Sequence, residues 1–182
     1  MIIGLTSLNG AGKTTAAEYL VQKGFIFYSL SDVIREEIKG RNLEITRDRL
    51  RETGNELRAK FGNSVLADRV MEKLEEGKNY VIDSIRHPAE IESLKKRKDF
   101  SMIFIDASIE TRFERVIERQ RESDPMTLKD FKKEEELELK GKDSANQQLL
   151  ECKELADFVI ENETSIDELY RKIDSLLVGL IE

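Results

Sequence analysis

The chain has 182 residues, of which 37% are charged, and its formal net charge is −7. This length suits one domain with a substantial core, and the negative charge argues against a protein whose main task is to coat nucleic acid. The single cysteine, Cys152, excludes an intramolecular disulfide, and the sequence shows neither a signal-peptide pattern nor an apolar run of membrane-spanning length. We therefore expect a cytoplasmic protein with neither nucleic-acid nor membrane partners.

A glycine-rich loop follows the first apolar run of the chain. Residues 1–5 predict a buried strand, and the segment after the loop predicts a helix. The loop has the phosphate-binding pattern GxxxxGK[ST], with Ser7 in place of the first glycine and residues 12–14 matching. The serine is tolerated if it can adopt the backbone angles of the turn. The inward face of the predicted helix consists of Ala16, Ala17, Leu20 and Val21.

Each residue type in this loop has a task in holding a polyphosphate. Gly10 and Gly12 allow backbone N–H groups to close around a phosphate, and the helix that follows adds unpaired N–H groups and the positive end of its dipole. Lys13 would hold the β- and γ-phosphates, and the hydroxyl of Thr14 would bind Mg²⁺. An ordinary glycine-rich turn is the alternative. The strand before the loop and the helix after it favour nucleotide binding.

The rest of the chain alternates between strand and helix patterns, which indicates an α/β layer structure with a mainly parallel sheet. The predicted strands cover residues 25–28, 80–83, 102–105 and 158–160. The predicted helices cover residues 31–39, 47–61, 64–74, 109–121 and 147–156, with two more that begin at Pro88 and after Ser165. The predicted helix caps are Ser31, Thr46, Asn63 or Ser64, and Ser165.

Two further patterns concern the second half of the chain. The helix predicted at residues 109–121 should turn Phe113, Val116 and Ile117 inward. Between residues 122 and 145 the apolar content falls and charges dominate, so we expect this segment to lie outside the compact core.

Asp83 is the predicted carboxylate of a phosphoryl-transfer site. It ends the strand predicted at residues 80–83, and in open α/β sheets ligands bind at the carboxyl ends of the strands. Phosphoryl transfer needs a carboxylate near the metal ion, which is the task that we assign to Asp83. The alternative is a polar residue that caps the helix beginning at Pro88.

The arginines fall into two groups. Arg35 and Arg86 follow two predicted strands and could converge on one acceptor phosphate as planar forks. Arg112, Arg115 and Arg119 lie along one face of a predicted helix, where they either contact ATP or are merely solvated.

The remaining conspicuous side chains, a histidine and a cysteine, have simpler interpretations. His87 precedes Pro88 and is interpreted as a helix-start residue, and Cys152 as a small core residue.

In this order, the phosphate loop, the Ser-x-Ser-Asp-x-x-Arg stretch of residues 29–35 and the Asp-x-x-Arg stretch of residues 83–86 resemble the P-loop nucleoside and nucleotide kinase superfamily. Within it, the chain is similar to adenylate-kinase-related proteins of archaea and to the kinase-like domain that accompanies some deoxycytidylate deaminases. The resemblance implies a three-layer P-loop NTPase fold in a single domain, with a five-stranded parallel sheet flanked by helices and the loop on its central strand. It also implies a monophosphate-binding insertion at residues 29–65 and a lid at residues 119–146.

The resemblance also assigns roles to particular residues. It implies catalytic roles for Lys13, Arg35, Arg86 and the lid arginine Arg119, and Mg²⁺ ligation by Thr14 and Asp83. The acceptor would be bound by Asp32, Arg35, Asp83 and Arg86. ATP would be bound by Asn9, Gly10, Ala11, Gly12, Lys13, Thr14, Thr15 and Asn162.

The predicted function is ATP-dependent phosphoryl transfer to a nucleoside or deoxynucleoside monophosphate, a small-molecule acceptor. Two alternatives stay open: a dephospho-coenzyme A kinase, and an ATP-binding regulatory NTPase without a small-molecule acceptor. The paired arginines favour a kinase, because a switch protein has no second phosphate to bind. Adenylate kinases proper have Asp-Gly-x-Pro-Arg where this chain has Asp-Ser-Ile-Arg, so the acceptor base is left open.

Overall fold

A computed structural model describes residues 1–119, 127–140 and 148–181. Within these residues, five strands form one parallel sheet in the order β2-β3-β1-β4-β5. The strands are β1 (Ile2–Ser7), β2 (Ile26–Ser29), β3 (Tyr80–Asp83), β4 (Phe100–Asp106) and β5 (Phe158–Glu161). The expected five-stranded parallel sheet is confirmed, and the strand that precedes the phosphate loop is its central strand.

Helices cover both faces of the sheet. They are α1 (Lys13–Gln22), α2 (Leu30–Gly40), α3 (Arg47–Phe61), α4 (Val65–Met71), α5 (Pro88–Leu94), α6 (Ile109–Glu118), α7 (Leu128–Lys140), α8 (Gln148–Glu154) and α9 (Ile166–Ile181). One hydrophobic cluster joins the sheet to α1 and α9, and the other joins it to α2, α3, α4, α5 and α8. The predicted three-layer architecture follows, because the central strand is buried on both faces.

Several helix ends differ from the sequence prediction. Helix α2 begins at Leu30, so Ser29 and not Ser31 is its N-cap residue, and the Ser29 side chain makes no cap hydrogen bond. The predicted cap Thr46 is confirmed, since its Oγ1 accepts a hydrogen bond from Arg49 N at 3.2 Å. Helix α4 ends at Met71 and α6 at Glu118, each three residues before the predicted end.

The predicted inward faces were partly wrong. Val21 is 44% exposed and Ile117 is 37% exposed, whereas their neighbours Leu20 and Val116 are buried. Adjacent residues in a helix point about 100° apart, and in these two pairs Leu20 and Val116 point to the core while their neighbours lie outside the buried face. Cys152 is a buried core residue as predicted, and its burial raises the pKa of its thiol to about 12.

The charged segment contributes more to packing than its composition indicated. Helix α7 lies inside it, and the buried Phe131 ring packs against Phe113 of α6 with 5.8 Å between ring centroids. The expectation that this whole segment lies outside the compact core was therefore wrong for α7. The other parts of the predicted lid, residues 120–126 and 141–146, lie outside the described residues. In the part of the chain that the structure describes, no helix has the length and apolarity to cross a membrane.

Candidate functional site

The phosphate loop connects the end of β1 to the start of α1. Ser7 is the last residue of β1 and pairs with Ile105 of β4, so its backbone is extended, a conformation that serine adopts freely. The loop turns through Gly10, whose φ is +84°, and Gly12, whose φ is +100°. The serine at the first glycine position is therefore compatible with the loop, as expected, because the left-handed angles fall on the other two glycines.

Packing adds a second reason for these two glycines. A Cβ atom on Gly12 would lie 2.4 Å from Nδ2 of Asn162, and one on Gly10 would lie 2.5 Å from the carbonyl oxygen of Arg112. The nearly buried Asn162 donates from Nδ2 to the carbonyl oxygen of Ala11 at 2.9 Å. Asn162 was predicted to contact ATP, and the structure places its amide against the loop backbone.

An ion pair joins the loop to the neighbouring strand. Lys13, the first residue of α1, donates from Nζ to a carboxylate oxygen of Asp83, the last residue of β3. The two residues are 70 positions apart in sequence, and β3 lies directly beside β1. Both side chains are largely shielded from water. The structure thus brings together the predicted phosphate-binding lysine and the predicted metal-binding carboxylate.

A row of three hydroxyl groups continues from this ion pair. Ser84 Oγ donates to Asp83 at 3.1 Å and accepts from Ser29 Oγ at 3.2 Å. Ser29 and Ser31 share a hydrogen bond of 2.8 Å, and Arg35 Nη1 donates to Ser31 at 2.7 Å. We call Ser29, Ser31 and Ser84 the hydroxyl chain. It connects the carboxylate at the end of β3 to the guanidinium on α2.

Ser84 holds its place at a cost in backbone energy. Its φ is +65°, a left-handed conformation that costs a residue other than glycine about 1–3 kcal/mol. The conformation lets the residue that follows β3 turn back and donate its hydroxyl to Asp83. Ser31 was predicted only as a helix cap, and neither Ser29 nor Ser84 was predicted to take part in the site. The signal that could have found them is their position directly at or after two adjacent strand ends.

The other predicted acceptor-binding residues are placed as follows. Arg35 is partly exposed, and its guanidinium also binds Asp32 at 2.9 Å, one turn earlier on α2. Arg86 is exposed, and among the described residues its guanidinium has no hydrogen bond or ion pair. Arg35 and Arg86 follow the carboxyl ends of β2 and β3, and these two strands are neighbours in the sheet. The structure therefore places them at one edge of the sheet.

A buried carboxylate anchors the backbone of Arg86. Glu90 is fully buried, and its Oε2 accepts from the backbone N–H groups of Arg86 and His87 at 2.9 and 3.1 Å. Its Oε1 accepts from Arg58 Nη2 of α3 at 3.0 Å. Neither Glu90 nor Arg58 was among the predicted site residues. A glutamate three residues after a helix cap is the capping-box signal that could have identified Glu90.

The start of α5 excludes one of the two interpretations of Asp83, that of a helix cap. His87 is the N-cap residue, as predicted, and its Nδ1 accepts from Ala89 N at 3.0 Å. With His87 and Glu90 capping this helix, the alternative that Asp83 does so was wrong. Burial lowers the pKa of His87, which favours the neutral ring that this hydrogen bond requires.

Two of the three predicted arginines at α6, Arg112 and Arg119, contact the phosphate loop. Arg112 is only 3% exposed and donates to the carbonyl oxygen of Asn9 at 3.3 Å, so the solvated interpretation was wrong for it. Arg119 Nη2 donates to Oδ1 of Asn9 at 3.2 Å. Arg115 donates to the carbonyl oxygen of Thr164 at 3.4 Å. Contact of these arginines with ATP stays a prediction.

The oxygen atoms at the loop fit a magnesium ion that is held mainly by a nucleotide. Thr14 is exposed at the start of α1 and offers a hydroxyl, and Asp83 offers a carboxylate. Among the described residues no group of three or more acidic, histidine or cysteine side chains could cage a metal by itself. Mg²⁺ in phosphoryl-transfer sites is usually bound by one or two protein oxygens together with phosphates and water, which agrees with this donor set.

Comparisons with known proteins identify the family. A family model described as an AAA domain matches residues 3–145. A UPF0200 protein of Staphylothermus marinus is 33% identical over 182 residues, which cover 100% of this chain and 93% of that protein. A UPF0200/UPF0201 protein of Archaeoglobus fulgidus is 37% identical over 176 residues, or 93% of this chain, and the chain spans about half (53%) of its length.

The fold has a close counterpart among solved structures. Shikimate kinase from Acinetobacter baumannii, in complex with shikimate, superposes with a TM-score of 0.61 and 19% identity over 98% of this chain and 93% of that one. At this identity the likeness shows the fold alone, which is that of a P-loop kinase. By sequence the chain belongs to the UPF0200 family, and by fold it is related to the P-loop kinases, as the resemblance of its motifs implied.

Proposed function

We propose that the protein transfers the γ-phosphoryl group of ATP to a nucleoside or deoxynucleoside monophosphate. The observation that carries this proposal is the hydroxyl chain, which connects the Lys13–Asp83 ion pair to the guanidinium of Arg35. The site therefore has a cation at the phosphate loop and a second cation at the neighbouring strand ends. A kinase whose acceptor carries its own phosphate needs both.

The donor side of the site is preformed. The glycine turn and the N-terminus of α1 present backbone N–H groups to a polyphosphate, and Lys13 lies at that terminus. The Lys13–Asp83 pair keeps each charge compensated and ordered. Lys13 would bind the phosphate oxygens of ATP in place of its present partner Asp83. Mg²⁺ held by Asp83 and Thr14 would neutralise the charge of the β- and γ-phosphates.

The acceptor side combines Arg35 and Arg86. A guanidinium binds a phosphate through two parallel N–H groups, and the exposed Arg86 is available for such a contact. Arg35 is oriented by its bonds to Ser31 and Asp32. An acceptor phosphate beside these two residues would lie at the carboxyl end of the sheet, as would the γ-phosphate in the loop. The reason is that β2, β3 and β1 are neighbouring parallel strands in the sheet.

The reaction requires no general base from the protein. An anionic oxygen of the acceptor phosphate attacks the γ-phosphorus of ATP, the bond from that phosphorus to the bridging oxygen breaks, and ADP leaves with the electron pair. The positive groups on both sides reduce the repulsion between the two anions and align them. Positioning and electrostatics therefore supply most of the rate acceleration.

The test is a panel of acceptors in an ADP-release assay. It contains nucleoside and deoxynucleoside monophosphates, dephospho-coenzyme A, shikimate and a reaction without acceptor. We expect ADP release to require a monophosphate. A preference for dephospho-coenzyme A or shikimate would contradict the proposed acceptor class. Equal ADP release without any acceptor would support the regulatory NTPase instead.

Three variants assign the two sides of the site. We expect Lys13→Ala to reduce turnover about 10²–10³-fold, because it removes a cation that stabilises the negative charge of the transition state.

We expect Arg35→Ala to raise the acceptor KM about tenfold or more and to leave the ATP KM unchanged. The reason is the loss of phosphate contacts of about 1.5–3 kcal/mol. The control is Arg51→Ala, since Arg51 is an exposed arginine of α3 whose ion-pair partner is the equally exposed Asp48.

A further inference from the structure

One arginine of α6 is buried although it carries a full charge. The Arg112 guanidinium donates from Nε to the carbonyl oxygen of Ala107 at 3.0 Å and from Nη1 to that of Asn9 at 3.3 Å. Both terminal nitrogens also bind the carboxylate of Glu135 on α7, and the Nη2 contact measures 2.9 Å. Arg112 thus contacts the end of β4, the phosphate loop and α7 at once.

Contacts around Arg112 tie it more tightly to both partners. The carbonyl oxygen of Arg112 lies so close to Gly10 that a Cβ atom there would be 2.5 Å away. On the other side, the centre of its guanidinium is 5.7 Å from the centroid of the Phe131 ring, which α7 also supplies. The loop and α7 therefore pack against the same residue from two directions.

Burial makes these contacts dependent on one another. A buried guanidinium needs a compensating charge, and Glu135 supplies it with bidentate geometry. If α7 separates from α6, Arg112 keeps only neutral carbonyl partners and must turn toward water. Its bond to Asn9 would then be lost as well. The docking of α7 on α6 and the conformation of the phosphate loop therefore depend on each other through Arg112.

We propose that Arg112 is a positioning residue that couples the docking of α7 to the affinity of the phosphate loop for Mg·ATP. This inference rests on the proposed function, because it assumes that the loop binds ATP. The coupling is reciprocal by thermodynamic necessity: an interaction by which α7 strengthens ATP binding lets ATP strengthen the docking of α7.

The chain offers a matched control for this coupling. Lys132 of α7 also binds α6, through an ion pair of 2.9 Å with Glu110. Both of these side chains are exposed, and neither is within bonding distance of the loop in the described residues. An exposed ion pair contributes little to stability, so a change at Lys132 hardly weakens the docking of α7 and leaves the hydrogen bonds of Arg112 in place.

The experiment compares Glu135→Gln, Glu135→Asp and Lys132→Met in the full chain by calorimetric titration with Mg·ATP. We expect Glu135→Gln to weaken binding about tenfold, within the usual range of allosteric couplings. Glu135→Asp keeps the carboxylate and should recover part of the affinity, and Lys132→Met should bind as the wild type does. The acceptor KM should be unchanged in all three, which separates loop positioning from a general loss of structure.

Hydrogen exchange tests the reverse direction of the coupling. In the wild type, Mg·ATP should slow amide exchange in α7, and in Glu135→Gln this protection should be smaller. Equal affinities for the wild type and Glu135→Gln, or an equal loss in Lys132→Met, would overturn the coupling while the proposed function stands. A wild type that takes up no Mg·ATP would refute both. Circular dichroism of each variant shows whether it is folded.

Discussion

At the scale of single residues, the phosphate loop depends on glycines with positive φ, and α1 has one at each end. Gly12 precedes Lys13 with a φ of +100°, and Gly24 follows the helix with a φ of +92°. They differ in their surroundings, because a Cβ atom on Gly24 meets nothing within 4 Å whereas one on Gly12 meets the amide of Asn162. Substituting alanine at each of these two glycines therefore distinguishes the effect of backbone strain from that of steric conflict.

We expect Gly24→Ala to lower the free energy of unfolding by about 1 kcal/mol, the cost of a left-handed alanine, and to leave Mg·ATP binding intact. Gly12→Ala adds a steric conflict in a packed site, so we expect a loss of about 2–4 kcal/mol and no measurable binding of Mg·ATP. Urea denaturation and calorimetric titration measure the two effects. Equal losses of stability with retained binding in both variants would show that Asn162 yields to the added methyl group.

Residues differ in how far the sequence could predict them. Lys13 and Thr14 follow the glycines directly, so a local pattern was enough to find them. Glu90 and Ser84 were missed and the burial of Arg112 was not predicted, because these features depend on packing and on partners elsewhere in the chain. A periodic arginine on a charged helix usually faces water, and only the carbonyl groups and the carboxylate around Arg112 make its burial favourable.

At the scale of elements, the start of α5 carries a titratable cap. His87 Nδ1 accepts the N–H group of Ala89 only while the ring is neutral at that atom, and burial lowers the pKa of His87. The folded protein therefore binds this proton more weakly than the unfolded chain, in which the pKa is about 6.5. The contribution of His87 to stability is complete above that pH and is lost as the pH falls through the lower folded pKa.

Replacing His87 by Asn keeps a capping acceptor and removes the titration. We expect the free energy of unfolding of the wild type to fall more steeply than that of His87→Asn as the pH is lowered from about 7 to about 5. Urea denaturation at a series of pH values measures both curves, and the carboxylates common to the two proteins cancel in their difference. Parallel curves would mean that the proton on His87 does not affect the cap.

Element types were predictable and element ends less so. All five strands in the described part of the chain were predicted, because each is a short apolar run bounded by turn residues. The end of α6 was placed too late, since the charge pattern continues past Glu118 without a glycine or proline to mark a stop. The packing of Phe131 was missed because one aromatic residue among many charges gives a weak periodic signal.

At the scale of the whole molecule, ligand binding and folding are linked. A ligand that binds only the folded state at about a hundred times its Kd adds about 2.7 kcal/mol to the free energy of unfolding. For a chain of this length that corresponds to an increase in Tm of about 5–10 °C. We expect this increase with Mg·ATP in the wild type and none in Lys13→Ala. Equal shifts in both, measured by thermal denaturation, would place ATP binding away from the loop.

The α/β class, the phosphate-loop pattern and the types of most elements could be predicted from the amino-acid sequence, because they follow from contiguous residues and local backbone preferences. Contacts between side chains distant in sequence depend on how the strands and helices pack. Lys13 binds Asp83, 70 residues away in sequence, and the carbonyl group of Asn9 binds Arg112, 103 residues away. Both contacts form because β1 lies between β3 and β4 in the sheet. Strand order is a property of the packed sheet as a whole, and the hydroxyl chain and the buried arginine depend on it.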